Sequence, residues 1–571
     1  LMKYYNCFKI FIILLKINLN IFIYLKKMKT YIFLIFMISL FLSINCAEEI
    51  EARIRRDGKN SWIIDIAQFP EEYLYIATAF YTPSLGETGW DFLSITTNNI
   101  FSDELQAEAA GRLEAYLTKD RIFNHYTNML STAGPLKEQT ANFFIKQEEY
   151  LLSKKSEYNS DPILYNAYLL YLQFKGLRDE YNSIVEEDKK IEDMEFNVMN
   201  SFGDVFDINS KFDKPAFDKM DKEEIYEYFL LNNHCSALFK LKNDLSDIFF
   251  GHNSWYYLNM MTRIFKEYNF NFNHPSIKAH NVMFSSYPGS VASNDDFYFT
   301  SKGLVVIETT NSNYNETSFD LISEESLLCW QRVQLSNRMA TTAKEWTEIF
   351  SKYNSGTYNN QYMSLDTKNI EFGEHPSIKE NTLMILEQLP GLIEVNDVTD
   401  HLKFGYWPSY NIPYGKIISE NSNITETVNS KPEREMKLYS DYNTCSRANI
   451  MRRNHSYVSD IQSMKNFMQY NNYQNDPFSA GNPGETIASR YDLRDAKPIC
   501  YGAFDTKLGS VKENKGSSTK TIHLYSGETK QVTPFSFNNP NGACKDVVHL
   551  GIPDEPNYDW ITFNNKFNFD E

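Results

Sequence analysis

One cysteine, Cys235, stands where its chemistry could be used. The chain has seven cysteines in 571 residues. Cys235 lies between a helix-like acidic stretch (221–232) and an apolar run (236–241), so it begins a segment with the pattern of a buried strand. His252 and Trp255 follow in a second polar and aromatic cluster. A thiol with such neighbours is a candidate nucleophile.

Cleavage of the bond between His234 and Cys235 would add a base to this thiol. The new α-amine would have a pKa of about 7.7–8.0, close to what a general base needs near neutrality. The alternative is a cysteine buried in the core, which is the commoner fate of an isolated thiol beside apolar residues. The residues alone therefore leave Cys235 a candidate nucleophile.

Other common catalytic patterns are missing from the sequence. It contains no G-x-S-x-G, H-E-x-x-H, C-x-x-C or Walker-type motif. The ten histidines are scattered, with no spacing that indicates a metal site. The sequence therefore predicts neither a metal nor a cofactor.

Composition limits the class of partner. Hydrophobic residues make up 42% and aromatic residues 15% of the chain, enough for a substantial core. The formal net charge is −18. Nucleic-acid binding requires clustered Lys and Arg, so a nucleic-acid partner is not expected.

The N-terminal region has the pattern of an export signal. Met28 is the better start, which makes 1–27 an upstream or non-native extension. A lysine, an apolar run at 31–44 and small residues before two glutamates predict a signal peptide at 28–47. The alternative, a membrane segment at 8–25, is disfavoured by its interrupting Lys and Asn residues. We expect a mature protein that is soluble and exported.

Glycosylation motifs and cysteines agree with export. Asn315, Asn423 and Asn454 each begin an N-x-[ST] sequon. After signal removal an odd number of cysteines remains, so at least one thiol is free in an oxidising compartment. Cys500 and Cys544 lie in the same turn-rich region and are predicted to form a disulfide; the alternative is two unpaired thiols.

The periodicity predicts an α+β fold. Short strands are expected in 60–99, and mainly strands joined by Gly, Pro and Asn turns after Cys235. Residues 198–220 lack a clear period and are predicted to form an exposed loop. Helical patterns occupy 102–130, 141–158, 162–187, 326–353 and 457–472.

Ten strings, in this order, carry a resemblance to a known family. They are AGRLEAYLT, NHCSALFKL, GHNSWYYLNMMTRIFKEYNF, FSSYPGSVASNDDFY, IETTN, NSGTYNNQYM, LEQLPG, GYWPSYNIPY, DLR and HLGIPD. Over roughly residues 60–565 the chain resembles the phospholipase B-like family of secreted and lysosomal proteins.

The resemblance implies a fold and a processing event. The fold would be the four-layer αββα sandwich of N-terminal nucleophile hydrolases, with two antiparallel sheets between helical layers. The precursor would cut itself between His234 and Cys235. The N-terminal chain, 48–234, would stay associated with the catalytic chain, 235–571.

The resemblance also implies roles for single residues. Asn411 would supply an oxyanion-hole donor, and Thr310 would line the pocket and donate too. His252 and Trp255 would lie against the nucleophile in the substrate pocket. Arg447 would hold negative charge and lower the pKa of the thiol. The alternatives are a turn-bridging Asn411, a surface Arg447 and a structural His252.

The chain departs from the family at Asn233, where a small residue is expected. A bulkier residue there could slow self-cleavage without removing the nucleophile.

The leading function is removal of fatty acyl groups from phospholipids through a cysteine thioester. A membrane would then be a partner only as substrate. One alternative is an amidase acting on N-acyl lipids or peptides, because a thioester serves ester and amide alike. The other is a lumenal lipid-binding protein with little catalysis, which would not require Cys235.

Overall fold

The computed structural model describes residues 48–232, 235–429 and 441–566. The predicted extension, the signal peptide and His234 therefore lie outside the described residues. From Glu49 onward the described residues belong to one compact unit. None of the helices in these ranges is long and apolar enough to cross a membrane.

Twenty strands carry the architecture within the described residues. They are β1 (Ile50–Arg56), β2 (Trp62–Ile66), β3 (Ala77–Thr82), β4 (Asp91–Thr97), β5 (Cys235–Leu241), β6 (Ile248–Tyr257), β7 (Ile264–Asn269), β8 (Asn281–Ser286), β9 (Phe297–Thr300), β10 (Leu304–Thr310), β11 (Asn360–Asp366), β12 (Ile370–Glu371), β13 (Ser377–Ile378), β14 (Leu383–Leu389), β15 (Leu392–Asp397), β16 (Tyr406–Ser409), β17 (Tyr501–Ala503), β18 (Asp505–Ser510), β19 (Thr521–Ser526) and β20 (Ile561–Asn564).

These strands form two large sheets and the small β12–β13 ribbon. The large sheet has the order β15-β14-β11-β10-β9-β8-β7-β4-β3-β1-β2, and the smaller sheet the order β16-β5-β6-β18-β19-β20, with β17 also paired to β6. Neighbouring strands are antiparallel except β4 and β7, which are parallel. The expected purely antiparallel pairing is therefore wrong at this one junction.

Helices lie between and outside the strands. They are α1 (Leu85–Thr88), α2 (Asp103–Ala133), α3 (Glu138–Ser153), α4 (Pro162–Ile184), α5 (Asp193–Phe212), α6 (Lys222–Asn232), α7 (Cys329–Met339), α8 (Ala343–Phe350), α9 (Thr399–Lys403), α10 (Lys416–Asn421), α11 (Ile424–Asn429), α12 (Ser446–Asn454), α13 (Ile461–Met468) and α14 (Val511–Asn514).

The long helices begin where the sequence indicates. Ser102 caps α2, its hydroxyl accepting a hydrogen bond from the backbone N–H of Leu105. Asp161 caps α4 and is followed by Pro162, which is favoured in the first turn because it lacks an N–H that would be unpaired there. α2 packs on β1, β3 and β4, and α13 packs on β6 and β18.

The prediction of an exposed loop over 198–220 is wrong for its first part. α5 continues to Phe212, and Asp204 and Asp207 are buried on it. The apolar period is hidden because these buried positions are acidic, and because the helix is kinked at Ser201. Only the stretch from Asp213 to α6 is a loop.

An apolar cluster joins the two sheets. It contains Phe239 and Phe250 from the smaller sheet and Phe297 and Met363 from the large sheet. The Phe250 and Phe297 ring centroids are 6.1 Å apart. The fold is thus mixed α and β, with β5 buried on both faces in the smaller sheet.

Candidate active site

Cys235 is the first residue of β5 and is fully enclosed. Its relative exposure is 1%. β5 lies between β16 and β6, and Cys235 is directly opposite Ser254 of β6. The whole run from Cys235 to Leu241 is buried, which explains why it reads as a continuous apolar strand.

The thiol of Cys235 faces a carboxyl group on the large sheet. Sγ donates to Oε1 of Glu308, on β10, over 3.8 Å. The Tyr358 hydroxyl lies 3.2 Å from the same oxygen and 2.6 Å from the carbonyl oxygen of Asn294. Burial raises the pKa of Cys235 and of Glu308 well above their ordinary values, and Asp296 raises that of Glu308 further.

Arg447, at the start of α12, holds the backbone of Cys235. Its Nη1 donates to the carbonyl oxygen of Cys235 over 2.7 Å and to Oδ1 of Asn411 over 2.8 Å. The guanidinium lies 4.4 Å from the centroid of the Trp255 ring. Arg447 is therefore a buried group of the site and not a surface cation.

Burial dominates the pKa of the Cys235 thiol and raises it. Lys507 and Arg447 act in the opposite direction, because both are cations that interact electrostatically with Cys235. The lowering effect predicted for Arg447 is therefore outweighed by burial, and the guanidinium contacts the carbonyl side of Cys235.

Asn411 is held from both ends of its amide. Its Nδ2 donates to the carbonyl oxygen of Thr310 over 2.7 Å, while Oδ1 accepts from Arg447. Its φ of 66° is left-handed, a conformation that Asn tolerates better than most residues. The amide is thus fixed beside the end of β10, and its predicted oxyanion role stays a prediction.

His252 lies in β6 beside the thiol with both ring nitrogens unpartnered among the described residues. Burial lowers its pKa well below the ordinary value, and Lys507 lowers it further. Ligand-type atoms of Cys235, His252 and Glu308 all lie within 4.8 Å of one another. These donor types suit Zn²⁺, so this trio is where a metal ion could be held, although the sequence spacing indicated no metal site.

A buried ionic network lies next to the nucleophile. Asp295 is 2.7 Å from both Arg263 and Lys507 and accepts a 2.6 Å hydrogen bond from Ser254. Lys507 also pairs with Asp505 at 2.9 Å. Because Ser254 is the strand partner of Cys235, the network lies directly beside the site.

The sequence reasoning missed Glu308, Tyr358 and Asp295. All three lie in strings that carried the family resemblance: IETTN, NSGTYNNQYM and FSSYPGSVASNDDFY. The signal was therefore present as dense polar and aromatic blocks, but nothing in them showed which residue faces the thiol.

A cavity of about 270 Å³ adjoins the site. Thr310 and Tyr358 line it on the side of the nucleophile, and Phe202 and Tyr256 are among the aromatic residues elsewhere in its wall. Its described lining contains no Lys, Arg or His, and Asp207 is its acidic residue. His252 and Trp255 lie on β6 and are not among the described residues that line this cavity, so their place in a substrate pocket stays a prediction.

Comparison with known proteins identifies the family. The family described as Phospholipase B matches residues 77–563, a range that contains every predicted catalytic residue. The chain belongs to the phospholipase B-like family. Phospholipase B-like 1 of Rattus norvegicus is 37% identical over 496 residues, covering 85% of this chain and 87% of that protein.

Other phospholipase B-like relatives match at similar levels. Phospholipase B of Crotalus adamanteus is 36% identical over 504 residues, covering 85% of this chain and 88% of that protein. Phospholipase B-like protein D of Dictyostelium discoideum is 34% identical over 572 residues, covering 95% and 98%.

The predicted disulfide of this phospholipase B-like chain is confirmed, since Cys500 and Cys544 are bonded. The sequon residues Asn315, Asn423 and Asn454 are each half-buried. Their glycosylation stays a prediction.

Proposed function

We propose that this protein is a secreted or lysosomal acyl hydrolase that cuts itself before Cys235 and removes fatty acyl groups from phospholipids. The observation that carries the proposal is the position of Cys235. It begins β5, an interior strand of the smaller sheet, with Arg447 on its carbonyl oxygen and Glu308 on its thiol. Membership of the phospholipase B-like family supports the reaction class.

The proposed cycle uses the amine that self-cleavage releases. The amine takes the thiol proton, Sγ attacks the acyl carbonyl carbon, and the proton passes to the leaving alcohol oxygen. Water then attacks the thioester, the fatty acid leaves, and the thiol regains its proton. Asn411 and Thr310 would donate to the oxyanion, where one lost donor costs about 2.7–4 kcal/mol.

The proposal includes the four-layer αββα arrangement and the association of the two chains. β4 precedes the cut and is paired with β7, which follows it. Lys266 of β7 also forms a buried 2.7 Å ion pair with Glu114 of α2. These contacts would hold the 48–234 chain on the 235–571 chain after cleavage.

The test is intact-mass analysis and N-terminal sequencing of the purified secreted protein beside Cys235→Ala. We expect a wild-type chain that begins at Cys235 and a variant that is uncut there. Fatty acid release from phosphatidylcholine should follow the same pattern. A variant cut at the same bond would contradict the assignment of the nucleophile.

An amidase is the second candidate, favoured by the cavity. A phosphate group would be expected to meet a cation, whereas the described lining offers Asn311, Asn313, Asn359 and Asp207. A neutral N-acyl group suits amide donors better. Hydrolysis of an N-acyl amine at least 10-fold faster than of a phospholipid with the same acyl chain would establish this candidate.

A lipid-binding protein without catalysis is distinguished by one comparison. It would bind phospholipid equally well as wild type and as Cys235→Ala, and the wild type would release no fatty acid. We expect release by the wild type and none by the variant.

An acidic lumen suits the charge of the protein. A net charge of −18 disfavours contact with anionic membranes, and low pH reduces that charge by protonating carboxylates. We expect activity near pH 5; an optimum above neutrality with none near pH 5 would contradict a lysosomal role.

A further inference from the structure

Self-cleavage before Cys235 lacks the base that the mature enzyme would use. Until the bond is cut, the nitrogen of Cys235 belongs to a peptide, and an amide nitrogen accepts protons poorly. The thiol proton must therefore go to another group when Sγ attacks the carbonyl carbon of His234. This inference rests on the proposed function, because it concerns the proposed self-cleavage.

Among the described acidic and histidine side chains, Glu308 and His252 have ligand-type atoms within 4.8 Å of the Cys235 thiol. Glu308 accepts the hydrogen bond from Sγ over 3.8 Å, a length within the range for sulfur donors. His252 comes within 4.8 Å of both but has no hydrogen bond to the thiol. A base needs direct hydrogen-bond reach to the proton that it removes, so the geometry favours Glu308.

We propose that Glu308 is the general base of self-cleavage, taking the thiol proton of Cys235 and returning it to the departing nitrogen.

The step balances in atoms and charge. The S–H proton passes to the Glu308 carboxylate as the bond from Sγ to the carbonyl carbon of His234 forms. The bond from that carbon to the nitrogen of Cys235 then breaks, and the Glu308 carboxyl gives its proton to the nitrogen. Water hydrolyses the resulting thioester and leaves a carboxylate on His234 and a free thiol on Cys235.

The environment of Glu308 suits a base. Burial and Asp296 raise its pKa, so its carboxylate form is a stronger base than an exposed one. Tyr358 donates to Oε1 and keeps that oxygen beside Sγ. By contrast, burial lowers the pKa of His252, which weakens it as a base.

The experiment follows cleavage of the newly made full-length chain by intact mass and N-terminal sequencing, with pulse labelling in a secretory host. It compares wild type, Cys235→Ala, Glu308→Gln and Glu387→Gln. Glu387 is the matched control, because it is a fully buried glutamate on β14 of the same sheet whose carboxylate bonds to Gln361 and Asn311.

We expect Glu308→Gln to cut at least 100-fold more slowly than wild type, within the usual range for general-base catalysis, and Glu387→Gln to cut nearly normally. If Glu308→Gln is cleaved at the wild-type rate while Cys235→Ala stays uncut, Glu308 is not the base, but the proposed function is not contradicted. Cleavage of Cys235→Ala at the same bond would overturn the proposed function itself.

If Glu308→Gln fails to fold, Glu308→Asp tests whether Glu308 is the base. It keeps the carboxylate but withdraws it by one methylene from Sγ. Cleavage slower than in the wild type supports the assignment, and cleavage at the wild-type rate overturns it.

Discussion

Arg447 contacts the candidate site through geometry that lysine cannot reproduce. One guanidinium nitrogen reaches both the Cys235 carbonyl and Asn411, while its plane lies over Trp255. Lysine offers a point charge without a planar face. At the residue scale, this predicts that even Arg447→Lys, which conserves the charge, lowers the activity.

Arg447→Lys should lower kcat/KM for acyl hydrolysis roughly 100-fold, because small displacements of catalytic groups have effects of that order. The check is steady-state kinetics on fully cut protein. Arg452→Lys is the matched control, since Arg452 lies exposed on the same helix α12. Equal kinetics for the two variants would contradict the positioning role of Arg447.

At the element scale, α2 and α4 approach closely through two glycines. A Cβ at Gly111 would lie 1.8 Å from the carbonyl oxygen of Gln173, and one at Gly176 would lie 2.4 Å from that of Glu108. The backbones can come this near only without side chains, and α2 packs on β1, β3 and β4.

Gly111→Ala should destabilise the protein by about 1–3 kcal/mol or more, because the helices must separate. Urea denaturation measures the free energy of unfolding. Gly86→Ala is the control: it lies in helix α1 with nothing within 4 Å of the added Cβ. An equal, small effect at both positions would contradict the close packing.

The disulfide links β17, a strand paired with the site-bearing β6, to the C-terminal loops. Its cysteines are 44 residues apart in the chain. Replacing both Cys500 and Cys544 by Ser should lower the free energy of unfolding by about 2–4 kcal/mol. Denaturation of oxidised wild type and of the double variant checks this, and reducing agent should then affect only the wild type.

At the scale of the whole molecule, buried acids make stability depend on pH. Burial raises the pKa of Asp207 to about 8, and that of Asp296 to about 7. In the unfolded chain both ionise near pH 3.9. The folded state therefore holds protons that the unfolded state has released, and stability falls as pH rises toward 8.

Between pH 6.5 and 8 this effect should dominate. Below pH 6.5 buried His125 and His252, whose pKa values burial lowers, act in the opposite direction because the unfolded state binds their protons. Each acid contributes about 1.4 kcal/mol per pH unit while it keeps its proton. The Tm of wild type should therefore fall between pH 6.5 and 8.

Asp207→Asn should reduce the decrease of Tm between pH 6.5 and 8. The control Asp218→Asn, at an exposed position, should leave that decrease unchanged. Differential scanning calorimetry at several pH values measures the slopes. Parallel slopes for wild type and Asp207→Asn would show that this carboxyl does not carry the dependence.

The sequence by itself determined the elements whose cause is local. Capping residues such as Ser102 and apolar periods predicted the long helices, and the continuous apolar run at 236–241 predicted β5. The family, the α+β character and the Cys500–Cys544 pair were also predictable. α5 was missed because its buried face carries Asp204 and Asp207, which have partners only in the folded chain.

Only the tertiary structure decided what surrounds the thiol. Glu308 and Arg447 reach Cys235, and Tyr358 reaches Glu308, from elements that are distant along the chain. No local period encodes such contacts, because they depend on how the two sheets pack. The parallel β4–β7 pairing was equally hidden, since it joins strands separated by four long helices. The sequence predicted Cys235 as a candidate nucleophile, whereas the residues that contact it were determined by long-range packing.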